Sequence, residues 1–196
     1  MKVVIIKYNA GNIRSVLFAL ERIGVQALVT DDPDEIRGAD RVIFPGVGEA
    51  SSAMEYLRAK GLDKLICSLT QPVLGICLGM QLMCSFSEEN DTPCLGIFTE
   101  KVKRFSETKG FKIPQIGWNN IFNLKTHLFN GVPENTFAYF VHGYYVEACD
   151  YAIAQTDYIQ TYSSALHKDN FYAVQFHPEK SGDAGQKILE NFIKGA

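Results

Sequence analysis

The residue best able to do covalent chemistry in this sequence is Cys77, which lies between two glycines in the segment 75–79 (GICLG). An apolar run, 73–76, precedes it, and a segment with helical spacing follows it. A small residue two before and two after a nucleophile, between a strand and a helix, is the pattern of a nucleophile elbow. Such a turn exposes the sulfur at the carboxyl end of a sheet, where a helix N-terminus favours the thiolate form.

A base for this nucleophile is predicted in the segment 176–179 (FHPE). His177 ends the apolar run 171–176, so its imidazole also projects from a strand end. Glu179 follows two residues later and can accept a hydrogen bond from one ring nitrogen while the other ring nitrogen faces the thiol. Cys77, His177 and Glu179 therefore match a Cys-His-acid triad.

Attack by a thiolate on a carbonyl carbon also requires donors for the developing oxyanion. The backbone N–H of Leu78 is one candidate. The segment 45–48 (PGVG), with Val47 and Gly48, follows another predicted strand and supplies the second. A dinucleotide-binding loop is the competing interpretation, but that fingerprint requires a glycine where this chain has Ser51, and no phosphate-binding P-loop motif is present.

A metal site is a further alternative at this edge of the sheet. His142, His177 and Cys77 are the candidate ligands, but no pair of them has the spacing typical of zinc sites. We therefore expect neither a metal nor a cofactor. The other cysteines, Cys67, Cys84, Cys94 and Cys149, are expected to be buried small apolar residues.

The elements that position these residues follow from hydrophobic periodicity. Short apolar runs alternate with helical spacing in the first half, which predicts an α/β fold with a mainly parallel sheet. The predicted strands are 2–6, 25–30, 41–44, 73–76 and 171–176, and the predicted helices are 13–23, 49–60, 78–86 and 185–194. Four segments of the second half are rich in β-branched and aromatic residues and predict additional antiparallel strands, at 95–105, 111–123, 137–147 and 151–156.

Composition excludes several classes of protein. The chain has 196 residues, 46% of them hydrophobic and 21% charged, which is typical of a globular domain. A net charge of −3 with scattered Lys and Arg disfavours nucleic-acid binding. Apolar runs are too short for a membrane span or a signal peptide, and five cysteines without a CxxC pair suggest reduced thiols. We therefore expect a cytoplasmic protein.

Six segments together resemble a known family. The segments 75–81 (GICLGMQ), 45–48 (PGVG) and 177–179 (HPE) are similar to the class I glutamine amidotransferases. Three more, 9–16 (NAGNIRSV), 114–119 (PQIGWN) and 139–145 (YFVHGYY), resemble the family of glutaminase subunits of imidazole glycerol phosphate synthases. The resemblance covers essentially the whole chain.

The resemblance implies one flavodoxin-like α/β amidotransferase domain over 1–196, with a mainly parallel central sheet flanked by helices. It further implies a glutaminase that hydrolyses L-glutamine through a Cys77 thioester. Its ammonia would pass to a separate (β/α)₈-barrel cyclase subunit in a heterodimeric lyase-type synthase. That subunit would make imidazole glycerol phosphate and an aminoimidazole carboxamide ribotide in histidine biosynthesis.

The resemblance also assigns residues that bind the substrate. Gln81 matches a position that contacts glutamine, and Gly46 belongs to the loop beside the substrate. Glu89 resembles the acid that faces the α-amino group of the substrate, with the adjacent Glu88 as the alternative. Backbone N–H groups of Gly143 and Tyr144 would meet the substrate carboxylate.

A second group of residues is implied at the surface facing the cyclase: Asn12, Trp118, Asn119 and Lys180. The chain departs from the family pattern at Gln115, where many relatives have His, and at Gly143, where many have Ser. Neither departure affects the triad.

Two other functions remain open. A paralogous subunit that supplies ammonia to another synthase, such as a surface-sugar amidation system, shares the segments 9–16 and 114–119. A cysteine hydrolase or peptidase of similar layering is less favoured, because the HPE segment lies so late in the chain and the PGVG loop is present.

Overall fold

Within residues 1–9 and 11–195, the computed structural model forms one sheet of eleven strands and a separate ribbon of two. Ala10, inside the segment 9–16, and Ala196 lie outside the described residues. The strands are β1 (Val3–Ile6), β2 (Ala27–Thr30), β3 (Arg41–Gly46), β4 (Val73–Cys77), β5 (Phe86–Ser87), β6 (Thr92–Pro93), β7 (Lys101–Arg104), β8 (Gln115–Ile121), β9 (Thr136–His142), β10 (Tyr144–Glu147), β11 (Ala152–Tyr158), β12 (Gln160–Lys168) and β13 (Phe171–Val174). The helices are α1 (Ile13–Arg22), α2 (Pro33–Arg37), α3 (Ala50–Ala59), α4 (Leu62–Cys67), α5 (Leu78–Met83) and α6 (Gly182–Lys194).

The parallel part of the sheet has the strand order β2-β1-β3-β4-β13, the order of the flavodoxin-like doubly wound fold. Beyond β13 the sheet continues through β12, β10 and β7 with antiparallel pairing, and β11 pairs with β12. The fold therefore has the predicted α/β class, with antiparallel strands added by the second half of the chain.

Both faces of the parallel strands are covered, which explains why these strands are continuous apolar runs. In β1, Val4 and Ile6 pack in a core with α3, α4 and α5, whereas Val3 and Ile5 pack in a second core with α1 and α6. Successive side chains of a strand point to opposite faces, so one strand contributes to both cores. The carboxyl ends of β3, β4 and β13 are thereby held at one edge.

Several predicted elements differ from those observed. The segment predicted as a strand over 95–105 pairs only at Lys101–Arg104, and the helix predicted to reach 86 ends at Met83 because Cys84 is extended. The short helices α2 and α4 and the long strand β12 were not predicted. β12 has the mixed polar sequence QTYSSALHK, yet its centre is buried because β11, β10 and β13 pair with it.

No helix in the described residues is long and apolar enough to cross a bilayer.

Candidate active site

The turn that carries Cys77 depends on glycines that allow close packing. Cys77 ends β4 with a φ of 53°, a left-handed conformation that side chains rarely adopt, and α5 begins at the next residue. A Cβ on Gly79 would lie 1.9 Å from the carbonyl oxygen of Phe44, and a Cβ on Gly75 would lie 2.9 Å from Sδ of Met83. Both glycines therefore allow a close approach that a Cβ atom would prevent.

His177 and Glu179 lie beside this turn and are both buried. Nδ1 of His177 donates a hydrogen bond to Oε1 of Glu179 at 2.7 Å, which fixes the proton on Nδ1 and leaves Nε2 as the other ring nitrogen. The side-chain amide of Asn12 donates to the same carboxylate oxygen. His177 is anchored by its own backbone N–H, which donates to the carbonyl of Tyr139 in β9.

The electrostatics of His177 favour the imidazolium form. Burial alone lowers the pKa of His177, but hydrogen bonding and charge interaction with Cys77 and Glu179 outweigh burial and raise it to about 10. Nε2 makes no hydrogen bond of normal geometry within the described part of the chain. The neighbouring Cys77 nevertheless contributes to the raised pKa of His177.

A cavity of about 450 Å³ opens above Cys77. Among the residues predicted from sequence, its wall includes Val47, Gly48, Cys77, Leu78, Gln81, Glu89, Gly143 and Tyr144. Residues for which we predicted no substrate contact complete the wall: Arg104, Ile113, Pro114, Val141 and His142. The size is that of a small-molecule site, and the mixture of apolar walls with a few polar groups is typical of one.

The cavity distinguishes the two neighbouring glutamates. Glu89 lines it, and its Oε2 accepts a hydrogen bond from the backbone N–H of Ala50 at 2.7 Å. Glu88 instead accepts from the backbone N–H of Arg104 and does not line the cavity. Burial raises the pKa of Glu89, which the bond from Ala50 partly offsets. The structure therefore favours Glu89 as the acid that faces the cavity.

Arg104 is a wall residue that no sequence motif indicated. Its guanidinium makes no ion pair with any described residue, and it lies on the strand position paired with Tyr144. The cavity therefore offers one carboxylate, Glu89, and one unpaired cation, Arg104. An amino acid carries the complementary pair of charges.

Gln81 is held by two hydrogen bonds from one nitrogen. Its Nε2 donates to the carbonyl of Tyr144 at 3.2 Å and to Oε1 of Gln175 at 3.0 Å. Gln175 is fully buried, and its Nε2 lies 3.7 Å from Sγ of Cys77. The one sequence signal for Gln175 is that it is a polar residue within the apolar run FYAVQF.

Gly46 is not part of the cavity wall. It pairs with Cys77 across β3 and β4, and a Cβ there would lie within 2.3 Å of the Tyr8 hydroxyl oxygen. The resemblance assigned Gly46 to the substrate-binding residues. The close packing of Tyr8 beneath the turn is by itself a sufficient reason for a glycine at this position.

The residues predicted to face a partner are dispersed. Trp118 is 55% exposed, and the exposed Lys180 extends over the ring of Tyr139. Asn119 is on the opposite face of β8 from Trp118, because neighbours in a strand alternate, and its amide donates to the carbonyl of Asp157. Asn12 contacts Glu179. Trp118 and Lys180 are thus the two of these residues on an open surface.

Beneath Gly143 and Tyr144 lies a buried polar group. Nδ1 of His142 donates to the carbonyl of Tyr144 at 2.7 Å. Its Nε2 lies 3.2 Å from the Tyr162 hydroxyl, which donates to Oε1 of Gln115 at 3.1 Å. Burial lowers the pKa of His142 to about 4 despite the bond to Tyr144. Gln115, one of the two departures from the family pattern, therefore takes part in a buried polar contact.

The alternative of a metal centre finds no support in the described residues, where no three His, Cys, Asp or Glu side chains form a metal-binding group. The expectation that the other four cysteines are buried is wrong for three of them. Cys84 is buried, but Cys67 is exposed and Cys94 and Cys149 are half-buried.

Comparisons with known proteins identify the family of this chain. The family model for "Glutamine amidotransferase class-I" matches residues 4–196. The chain is 58% identical to "Imidazole glycerol phosphate synthase subunit HisH" of Bacteroides fragilis strain YCH46, over 99% of this chain and 100% of that protein. It is 45% identical to the protein of the same name from Yersinia pseudotuberculosis, over 99% and 100% of the two chains.

Solved structures show the same fold at low sequence identity. A crystal structure of a glutamine amidotransferase superposes with a TM-score of 0.73 at 18% identity, covering 96% of this chain and 98% of that one. The structure of PurLQS from Thermotoga maritima gives a TM-score of 0.73 at 16% identity, with coverage of 98% and 97%. The family match and the full-length relatives together show that this chain belongs to the class I glutamine amidotransferases.

Proposed function

We propose that this chain is the glutaminase subunit of an imidazole glycerol phosphate synthase. The observation that carries the proposal is the position of Cys77 in the wall of a cavity that has charges for both ends of an amino acid, with the buried pair His177 and Glu179 beside it. Full-length relatives of 45–58% identity bear the name of that subunit.

In the proposed reaction, the Cys77 thiolate attacks the side-chain amide carbon of glutamine, and the carbonyl oxygen becomes an oxyanion. The backbone N–H of Leu78 and that of Val47 or Gly48 stabilise this oxyanion. The His177 imidazolium then gives its Nε2 proton to the departing nitrogen, which leaves as ammonia, and a thioester remains on Cys77.

The second half of the reaction returns the enzyme to its starting state. His177, now neutral, takes a proton from a water molecule as that water attacks the thioester. Glutamate leaves, the sulfur departs as a thiolate, and His177 is again the imidazolium. The raised pKa of His177 supports the imidazolium as its resting form at neutral pH.

Substrate binding is assigned to the remaining wall of the cavity. Glu89 accepts from the α-amino group of glutamine, and the backbone N–H groups of Gly143 and Tyr144 donate to its carboxylate, with Arg104 adding a positive charge on that side. Gln81 contacts the substrate through its Oε1, since both protons of its amide nitrogen are used within the protein.

The partner is proposed to dock on the outer face of the β8–β9 ribbon. This face carries Ile116, Trp118 and Phe137, which are 64%, 55% and 57% exposed, together with Tyr139. Lys180 lies beside it. Large apolar side chains grouped on one exposed face are typical of a protein interface. We propose a (β/α)₈-barrel cyclase as the occupant, which would receive the ammonia.

The face is connected directly to the catalytic centre. The carbonyl of Tyr139 accepts from the backbone N–H of His177, and the carbonyl of Val141 lies 3.9 Å from Sγ of Cys77. A protein bound on the outer side of β9 is therefore separated from the triad by one strand. Asn12 contacts Glu179, and a further contact of Asn12 with the partner stays a prediction.

Growth of a histidine auxotroph that lacks its glutaminase subunit tests the function. The gene for this chain is expected to restore growth on minimal medium with glutamine as nitrogen donor, and the Cys77→Ala variant is expected to fail at equal protein level. If the wild-type chain fails but releases ammonia from glutamine in vitro, the amidotransferase serves a different synthase, such as a sugar-amidating one.

A further inference from the structure

The reaction described above does not use the side-chain amide that contacts the nucleophile. Gln175 lies one residue beyond β13 and two residues before His177, and it is fully buried. Its Nε2 is 3.7 Å from Sγ of Cys77, a distance at which an N–H donates to sulfur. A buried amide next to a reacting atom is an expensive group to keep unless its hydrogen bonds are used.

The orientation of this amide follows from its neighbours. Nε2 of Gln81 donates to the carbonyl of Tyr144, and a carbonyl oxygen can only accept, so the NH₂ end of Gln81 is identified. The second proton of the same nitrogen points to Gln175 at 3.0 Å, which requires the oxygen of Gln175 there. The remaining NH₂ end of Gln175 must therefore face the sulfur of Cys77.

We propose that Gln175 is a further catalytic residue, whose side-chain N–H donates to the Cys77 sulfur and stabilises the thiolate, with Gln81 fixing the orientation of that donor. The proposal rests on the proposed glutaminase function. A hydrogen bond to a charged acceptor is stronger than one to a neutral acceptor, so this donor favours the thiolate over the thiol. The chain Tyr144–Gln81–Gln175–Cys77 also connects the substrate-carboxylate side of the cavity to the nucleophile.

The variant that tests the proposal is Gln175→Glu. A glutamate has the same shape and keeps an oxygen to accept from Gln81, but it places a second oxygen against the sulfur. A carboxyl group loses its proton at a lower pH than a thiol does. In this variant the thiolate of Cys77 therefore forms beside a negative charge. We expect glutamine hydrolysis at pH 7 to fall by at least about tenfold, the loss typical of one hydrogen bond to a charged group.

A second measurement separates an effect on sulfur from a structural effect. The rate of Cys77 alkylation by iodoacetamide, followed on the Cys77 peptide by mass spectrometry, is measured against pH. The midpoint of this profile is expected to move up by about one pH unit in Gln175→Glu. Gln175→Met, which removes the donor without adding charge, is expected to move it in the same direction by less.

Ser164→Ala is the matched control. Ser164 is buried beside Gln175, its carbonyl accepts from the backbone N–H of Gln175, and its hydroxyl has no partner in the described residues. The control should keep both the hydrolysis rate and the alkylation profile of the wild type.

Two results would overturn the proposal. One is a Gln175→Glu protein, folded by circular dichroism, with wild-type hydrolysis and alkylation. The other is slower hydrolysis with an unchanged alkylation profile in both Gln175 variants, which would mean that Gln175 acts on the cavity and not on the sulfur. Because alkylation requires no glutamine, it tests Gln175 even if the wild-type chain proves not to be a glutaminase.

Discussion

At the residue scale, the three triad side chains differ in how directly they take part in the reaction. The imidazole of His177 exchanges protons with the reacting groups, whereas Glu179 contacts only Nδ1 of His177 and the amide of Asn12. We expect His177→Ala to slow glutamine hydrolysis by roughly 10⁶-fold and Glu179→Gln by roughly 10⁴-fold, since triad members act as a unit with unequal single effects. Steady-state ammonia release measures both. Rates in the reverse order would show that the two roles are exchanged.

The acid stability of the protein is a second property set by one residue. Because the pKa of His142 is about 4 in the fold and near 6.5 in an unfolded chain, the unfolded state binds a proton that the folded state does not between those values. Folding stability is therefore expected to fall as the pH drops from 6.5 to 4, by about 3 kcal/mol from this group. His177 has the opposite pH dependence. Its pKa is raised to about 10, so its contribution to folding stability is complete below pH 6.5 and is lost as the pH rises from 6.5 to about 10.

Urea unfolding of the wild type and of His142→Gln at pH 8, 6.5 and 4.5 checks this expectation. The variant lacks the titrating group, so the difference in free energy of unfolding between the two proteins should shrink toward low pH. A difference that stays constant over the three pH values would show that His142 is not the group responsible.

At the element scale, the β4–α5 turn works only because α5 packs directly against β3. A Cβ on Gly79 would lie 1.9 Å from the carbonyl oxygen of Phe44, so Gly79→Ala forces the helix away from the strand. We expect a loss of roughly 3 kcal/mol or more of folding stability and loss of hydrolysis, since a buried overlap with backbone cannot relax by a rotamer change. Thermal unfolding and ammonia release are the measurements.

Gly143→Ser is the matched control for this substitution. The nearest atoms to a Cβ on Gly143 are 3.8 and 3.9 Å away, in Pro114 and Ile113, which is ordinary contact. The variant should keep the folding stability of the wild type. A Gly79→Ala protein as stable as Gly143→Ser would mean that the close packing seen at the turn is not required.

The elements also show what a sequence can predict. The turn at Cys77 and the strand end at His177 were predictable because the signals are local: glycine spacing, and an apolar run followed by polar residues. Strand β12 was missed because its burial comes from partners on β10, β11 and β13 that are distant in the chain. Arg104 and Gln175 have no motif, and only the fold brings them to the cavity and the sulfur.

At the scale of the whole molecule, the triad and the proposed partner surface meet at one strand, β9. Backbone carbonyls of β9 contact His177 and Cys77, and side chains of the same strand, Phe137 and Tyr139, belong to the exposed apolar face with Trp118. Trp118→Glu is therefore expected to weaken binding of a cyclase subunit by at least about tenfold, the loss of a central aromatic contact, while hydrolysis by the isolated chain stays unchanged.

Leu28→Glu is the control for the partner surface, because Leu28 is an exposed apolar residue on the edge strand β2. Binding of either variant to the purified cyclase can be followed by calorimetry. Equal affinities of Trp118→Glu and the wild type would place the partner on a different surface.

The central claim is that Cys77 releases ammonia from glutamine for use by a partner. The most direct measurement compares imidazole glycerol phosphate synthesis by the complex of this chain with its cyclase, supplied with glutamine or with ammonium salts. Cys77→Ala should abolish glutamine-dependent synthesis and keep ammonium-dependent synthesis, and Cys67→Ala, at an exposed thiol, should keep both. Glutamine-dependent synthesis at the wild-type rate by Cys77→Ala would contradict the account.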